Sequence, residues 1–163
     1  MKKVLVLVLV VLVFNLVFAT EYFVDPNNEY IYVVLDGFEA LYEESDGTLS
    51  LFHEQLNIVI NIMKLSEPVQ GLELSMITEE VAKNLDESGF QTVSTNERNF
   101  LSYNAKAFEC VAVEDNVSVR VEFTIFEVPK RGFYLIIVAA PDETYDEYRT
   151  LLLNAKQMLM FIE

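Results

Sequence analysis

Val117-Ser118-Val119-Arg120-Val121-Glu122-Phe123-Thr124-Ile125 alternates apolar and polar residues without a break. Successive side chains of a β-strand point to opposite faces, so this run has one apolar and one polar face. Pro129-Lys130-Arg131-Gly132 then turns the chain. Phe133 to Ala140 follows and is apolar at odd and even positions alike. A strand of that kind needs cover on both faces. Two strands joined by so short a turn pair antiparallel. An antiparallel sheet with a layer on each side is the expected centre of the fold.

The flanking sequence extends this sheet. Phe108, Cys110 and Ala112 share one face of the preceding strand, which turns at Asp115-Asn116. Phe90 to Leu101 reads as extended. Near the start, Asp25-Pro26-Asn27-Asn28 marks a turn after a short lead-in, and Glu67 to Gly71 reads as a loop. Tyr30 to Leu35 reads as a strand, Asp36-Gly37 breaks it, and Phe38 to Tyr42 continues as another. Ser45-Asp46-Gly47 is a hairpin signal before a strand from Thr48 to His53. Leu56, Ile58, Ile60 and Ile62 then make one strongly apolar strand face. Two helices are expected. One runs from Thr78, as its cap, to Ser88, with Glu79 and Glu80 on the positive end of its dipole and Gly89 as its stop. The other opens on the capping box Thr144-x-x-Glu147 and carries Tyr145, Tyr148, Leu152, Ala155, Leu159 and Ile162 on one stripe. The class is α+β, a central antiparallel β-sheet flanked by helices.

Lys2 and Lys3 precede an apolar run from Val4 to Phe18, interrupted only by Asn15, and Val17-Phe18-Ala19 fits a signal-peptidase site. Residues 1–19 are expected to be a secretory signal peptide cut before Thr20, leaving residues 20–163 as one domain. Fifteen helical residues reach only about 22 Å, short of a hydrocarbon core of roughly 30 Å. The alternative is an uncleaved N-terminal membrane anchor, which would be the chain's one membrane contact. The expected location is extracytoplasmic, either periplasmic or secreted. The full 163 residues carry a net charge of −15; residues 20–163 hold 9 basic and 26 acidic residues, a net −17. So acidic a domain argues against nucleic-acid binding, which needs a basic footprint. One Cys excludes an internal disulfide, and one His excludes His-rich metal ligation.

Several stretches resemble the PsbP-like family, whose members include the extrinsic photosystem II subunit and secreted bacterial proteins. Tyr30 to Phe38 is similar to its opening strand, with Asp36-Gly37-Phe38 where the family has a Pro-x-Gly-Trp-like step. Thr78-Glu79-Glu80-Val81-Ala82 resembles the start of its first helix, and Asn104 to Phe108 the turn into its alanine-and-aromatic strand, without the usual Gly. Val119 to Phe126 with Gly132 to Ala140 resembles its long hairpin, and Tyr145 to Phe161 its closing helix. The resemblance spans most of residues 20–163 and rests on packing and turn positions. It implies a three-layer α/β/α sandwich, a fold also like the Mog-type Ran-binding factor, and it implies no shared catalytic residues.

No residue set points to catalysis, a cofactor or a metal. His53 ends a strand with no nucleophile partnered to it in the sequence. Cys110 reads as a buried apolar residue. Glu43-Glu44-x-Asp46, Glu114-Asp115 and Asp142 to Glu147 lack EF-hand spacing. Lys130-Arg131 reads as solvated turn charge, and Asn116-Val117-Ser118 matches a glycosylation sequon. The aromatics are the exception. Tyr22, Phe23, Tyr30, Tyr32, Phe38 and Tyr42 crowd the first strands. Tyr30, Tyr32, Phe38 and Tyr42 are the candidate walls of a partner or ligand groove. The expected function is non-enzymatic, an accessory domain that binds another extracytoplasmic protein. The alternatives are a carrier of a small apolar ligand between sheet and helix, and a small carboxylate-based hydrolase.

Overall fold

The computed structural model describes residues 21–67, 71–114 and 117–162. The signal segment 1–19, the 68–70 part of the first loop, the Asp115-Asn116 turn and the sequon at Asn116 lie outside the described residues.

Among the described residues, ten strands and two α-helices follow one another. Strands β1 (Tyr22–Val24), β2 (Tyr30–Val33), β3 (Glu39–Glu43), β4 (Thr48–His53) and β5 (Ile58–Ser66) come first. Helix α1 (Leu74–Glu87) precedes β6 (Gln91–Phe100), β7 (Tyr103–Glu114), β8 (Val117–Val128) and β9 (Gly132–Pro141). Helix α2 (Tyr145–Gln157) and β10 (Leu159–Phe161) close the chain. Strands β3 to β9 form one seven-stranded antiparallel sheet in the order β3-β4-β5-β9-β8-β7-β6.

The doubly apolar stretch is the middle strand, β9. Its Tyr134, Ile136, Val138 and Ala140 enter one core, while Leu135, Ile137 and Ala139 belong to the other. On the second side Leu85, Val81, Ile77 and Leu74 of α1 cover Phe108, Cys110, Val121, Phe123 and Ile125. On the first side lie α2, through Tyr145, Leu152 and Ala155, and a second sheet of order β1-β2-β10. The α+β class, with a large antiparallel sheet and two helices, is as expected, and a small sheet shares one outer layer with α2.

The polar face of β8 is also covered. Thr124 is fully buried, and the buried ammonium of Lys156, from α2, lies 2.6 Å from Glu122. Arg98 of β6 also donates to Glu122 and, at 2.9 Å, to the Thr124 hydroxyl. Burial pushes the Glu122 carboxyl up, but Lys156, Arg98 and the Thr124 hydroxyl outweigh it and hold the group below its ordinary value of 4.5. An ion pair so placed fixes α2 to the sheet with a definite register, and losing either partner would strand a buried charge.

Four local expectations change. Helix α1 starts at Leu74, a turn earlier than Thr78, so Thr78 is not a cap. Its buried hydroxyl donates to the Ser75 carbonyl at 2.9 Å, and no acidic residue occupies the first turn. Thr144 is the N-cap of α2 but makes no side-chain cap bond; Asp146 and Glu147 still sit in the first turn, where the dipole favours them. The last helix ends at Gln157. Leu159, Met160 and Phe161 instead pair with Tyr32, Ile31 and Tyr30 as a strand. Three residues are too few to separate strand from helix by periodicity. The lead-in likewise contains a strand, β1, paired with β2.

Two outcomes test this layering. Ile136→Ala, at a fully buried site on the middle strand, should cost about 2–5 kcal/mol in urea unfolding, whereas Leu41→Ala on the exposed edge should stay within about 0.5 kcal/mol. Stability should also fall in acid. The unfolded chain protonates Glu122 near 4.5, while the folded chain holds the carboxylate to lower pH. The contribution is therefore complete above pH 4.5 and disappears as pH drops through the depressed folded value. Thermal melts of Glu122→Gln should show a shallower acid decline than the parent protein.

Candidate functional site at the first hairpin

The small sheet has two unlike faces. Phe23, Tyr30, Tyr32, Leu159 and Phe161 point inward to the core. Val24, Ile31 and Met160 stand directly opposite one another across the three strands, with Tyr22 opposite Val33 in the next outward row. Residues paired across a ladder share a face, so these five side chains form one outward patch. Tyr22 is 66% exposed, Met160 51% and Val24 40%, with Ile31 and Val33 half-buried.

Of the four candidate aromatics, the structure brings only Tyr30 and Tyr42 to one site. Tyr32 is a core residue whose hydroxyl donates to the Ala155 carbonyl at 2.8 Å, tying β2 to the end of α2. Phe38 is buried edge-on against the His53 ring at 5.1 Å. Gly37 makes that packing possible. Its φ is +86°, and a Cβ there would lie 2.6 Å from His53 Nε2. Tyr30 and Tyr32 do share a face, but it is the inward one. Their aliphatic neighbours Ile31 and Val33 look outward, because the large rings fill the gap to the central sheet.

Tyr30 and Tyr42 line a cleft of about 450 Å³ with Asp25, Asn27, Glu29, Asp46, Gly47, Lys64 and Glu67. Two tight turns build it. In the β1–β2 connection, Asp25 Oδ2 accepts from the backbone N–H groups of Asn27 (2.9 Å) and Glu29 (3.1 Å). In the β3–β4 connection, Asp46 Oδ1 accepts from the Thr48 N–H at 3.0 Å. The third wall is the end of β5, where Lys64 lies 2.6 Å from Glu29 and 2.9 Å from Glu67. Arg131 braces the floor by donating to the Glu29 carbonyl at 2.9 Å and to the Ile162 carbonyl. Lys130-Arg131 is therefore not simply solvated turn charge; Arg131 joins three segments.

The electrostatics of the cleft are acidic. Burial would raise the Glu29 carboxyl, but hydrogen bonds from Lys64 and the Tyr134 hydroxyl, with the Lys64 and Arg131 charges, hold it below its ordinary range. Burial raises the Tyr30 phenol, and Asp25, Tyr42 and Glu29 add to the rise. The Tyr30 ring is buried, and its hydroxyl has no hydrogen-bond partner among the described residues. Phe23 packs against both tyrosines, its ring centre 6.1 Å from Tyr30 and 5.2 Å from Tyr42.

The remaining candidates serve structure. Cys110 is fully buried in the α1-side core. Asp142 and Asp146, beyond helix-dipole compensation, surround Arg120 at 2.6 and 3.8 Å. The sequence shows the turn chemistry of both cleft-forming loops, but not that the loops meet. Only the lead-in strand and the C-terminal strand bring the outward patch together.

An unpartnered buried hydroxyl costs its desolvation without return. Tyr30→Phe should therefore raise the melting temperature, by the equivalent of about 1 kcal/mol. A fall in stability would mean that the hydroxyl is satisfied in the folded chain.

No family model matches the sequence, and no curated protein matches it. Solved structures do. Cyanobacterial PsbP from Synechocystis sp. PCC 6803 superposes with a TM-score of 0.67 at 11% identity, covering 90% of this chain and 95% of that one. LpqN of Mycobacterium tuberculosis, described as involved in cell envelope biogenesis, gives 0.55 at 10% identity over 90% of this chain and 87% of that one. A Pseudomonas aeruginosa protein of unknown function gives 0.52 at 11% identity over 76% and 80%. At such identities the likeness is one of fold, and the chain has the PsbP-like fold that its strand and helix pattern resembles.

Proposed function

We propose that the chain is an extracytoplasmic accessory domain that docks on another envelope protein and performs no catalysis of its own. The observation that carries this reading is the outward face of the small sheet. Five apolar side chains in register on a rigid, core-anchored ladder are a contact surface of the kind that marks interaction sites. The N-terminal segment, with its signal-peptide pattern, supports an extracytoplasmic setting. The fold likeness to LpqN, whose description places it in cell envelope biogenesis, supports the same setting.

The competing readings fit less well. A carboxylate hydrolase needs a general acid with a raised pKa. Glu29 and Glu122, the carboxyls most strongly engaged by neighbours, are both held down instead. A carrier of an apolar cargo needs an apolar enclosure. Two clefts among the described residues, of about 540 and 450 Å³, are rimmed by charge, one by Glu97, Arg98 and Lys106 and the other by Asp25, Glu29 and Lys64.

Affinity capture from the source cell's envelope fraction tests the reading. The parent domain should recover one stoichiometric protein. The Val24→Thr/Met160→Thr variant, altered at two exposed positions, should keep its fold by circular dichroism and lose at least about 90% of that protein, as a loss of roughly 1.4 kcal/mol in binding implies. A partner held equally by the variant, or none held by the parent, overturns it.

A further inference from the structure

We infer that the acidic cleft receives a lysine or arginine side chain of the protein that docks on the neighbouring sheet face; this rests on the contact-surface reading above. The two features are continuous. Val24 of the apolar face directly precedes Asp25 of the cleft, and Ile31 follows Tyr30, which lines it. A chain lying on the face and passing the end of the hairpin would bring its next side chain over the cleft.

The cleft's chemistry selects a cation. Its lining holds Asp25, Glu29, Asp46 and Glu67 against Lys64, with Arg131 bonded to backbone carbonyls beneath. Lys64 is already engaged by Glu29 and Glu67, and Glu29 also accepts from Tyr134. Asp25 and Asp46 are different. Each uses one oxygen, Oδ2 and Oδ1 respectively, to hold its own turn, and the turn bonds leave the second oxygen uncommitted. An incoming ammonium or guanidinium would gain charge-assisted hydrogen bonds there. It would also lie beside two tyrosine rings, whose faces attract cations. Tyr30 supplies an independent sign of a missing ligand. It is 3% exposed, and its hydroxyl feels Asp25, Tyr42 and Glu29 yet has no partner among the described residues. A bare divalent ion fits less well. Such an ion needs six or more converging oxygens, and among the described residues no three His, Cys, Asp or Glu side chains converge as a ligand set. An organic cation that shares an aromatic wall has no such requirement.

The test uses the isotopically labelled protein and the tripeptide Arg-Arg-Arg amide as probe, with Ser-Ser-Ser amide as the neutral control, followed by amide shifts at low salt. The arginine peptide should move the amides of residues 25, 27–29, 42 and 46–48, and the serine peptide should move none. Tyr30→Phe should weaken the probe by about threefold to tenfold, the range of one lost hydrogen bond, while the protein melts no lower than the parent. Asp46→Asn keeps the turn acceptor but removes the charge, and should weaken it similarly. Glu79→Gln, which removes one exposed charge from α1, should change it less than twofold. Shifts spread over the acidic surface, or equal losses in Asp46→Asn and Glu79→Gln, would overturn the inference, since either means general attraction to a −17 domain. The two readings fail separately. If the probe ignores the cleft while Val24→Thr/Met160→Thr still abolishes capture, the basic side chain is wrong and the contact face stands. If the probe binds as described but capture ignores the face, the contact reading falls and with it the inference.

Discussion

Strand β9 cannot exist in water on either side. Its ten residues send Tyr134, Ile136 and Val138 into one core and Leu135 and Ile137 into the other. Apolar burial of this kind is the main favourable term in folding, at roughly 25 cal/mol per Å² removed from water. It sets the strand in the middle of seven, with β5 and β8 as neighbours, and requires a layer on each side. Helix α1 supplies one layer. The other is harder to supply. The even-numbered face of β8 there offers Arg120, Glu122 and Thr124, which no apolar helix could cover. Helix α2 meets it with Lys156, and the paired charges make a polar patch of sheet compatible with burial.

Helix α2 leaves part of that side open, and the small sheet fills the rest. It is assembled from the two ends of the described chain, β1 and β2 with β10, and it is pinned by Tyr32 to the Ala155 carbonyl and by Arg131 to the Glu29 and Ile162 carbonyls. The outward apolar face is a consequence. A three-stranded sheet that fills a gap with Tyr30, Tyr32 and Phe161 must turn its alternate residues outward. Here those residues are Val24, Ile31 and Met160 rather than charged ones. The cleft at the end of the same hairpin is held by turn bonds and by the Lys64–Glu29 pair, which give it a defined shape.

The chain by itself determined the class and the central sheet. The unbroken alternation of Val117 to Ile125, the double apolarity of Phe133 to Ala140 and the Pro129 to Gly132 turn are local signals, and local signals suffice where burial follows period two. The same holds for the turn chemistry of Asp25 to Asn28 and of Ser45 to Gly47, and for Cys110 in the core. Helix starts were less legible. Thr78 and Thr144 both have cap chemistry, yet Thr78 lies inside its helix and Thr144, at the N-cap position, makes no side-chain cap bond; each hydroxyl turns instead to a carbonyl three residues back, at Ser75 and Pro141. Tertiary structure alone decided which face of Tyr30 to Val33 looks outward, that Leu159 to Phe161 leaves the helix to pair with β2, and that two turns about twenty residues apart in sequence close on one cleft. None of these is written in a local pattern. The face of a short strand is chosen by the gap it must fill, and a third strand forms only where a distant edge offers unpaired backbone groups.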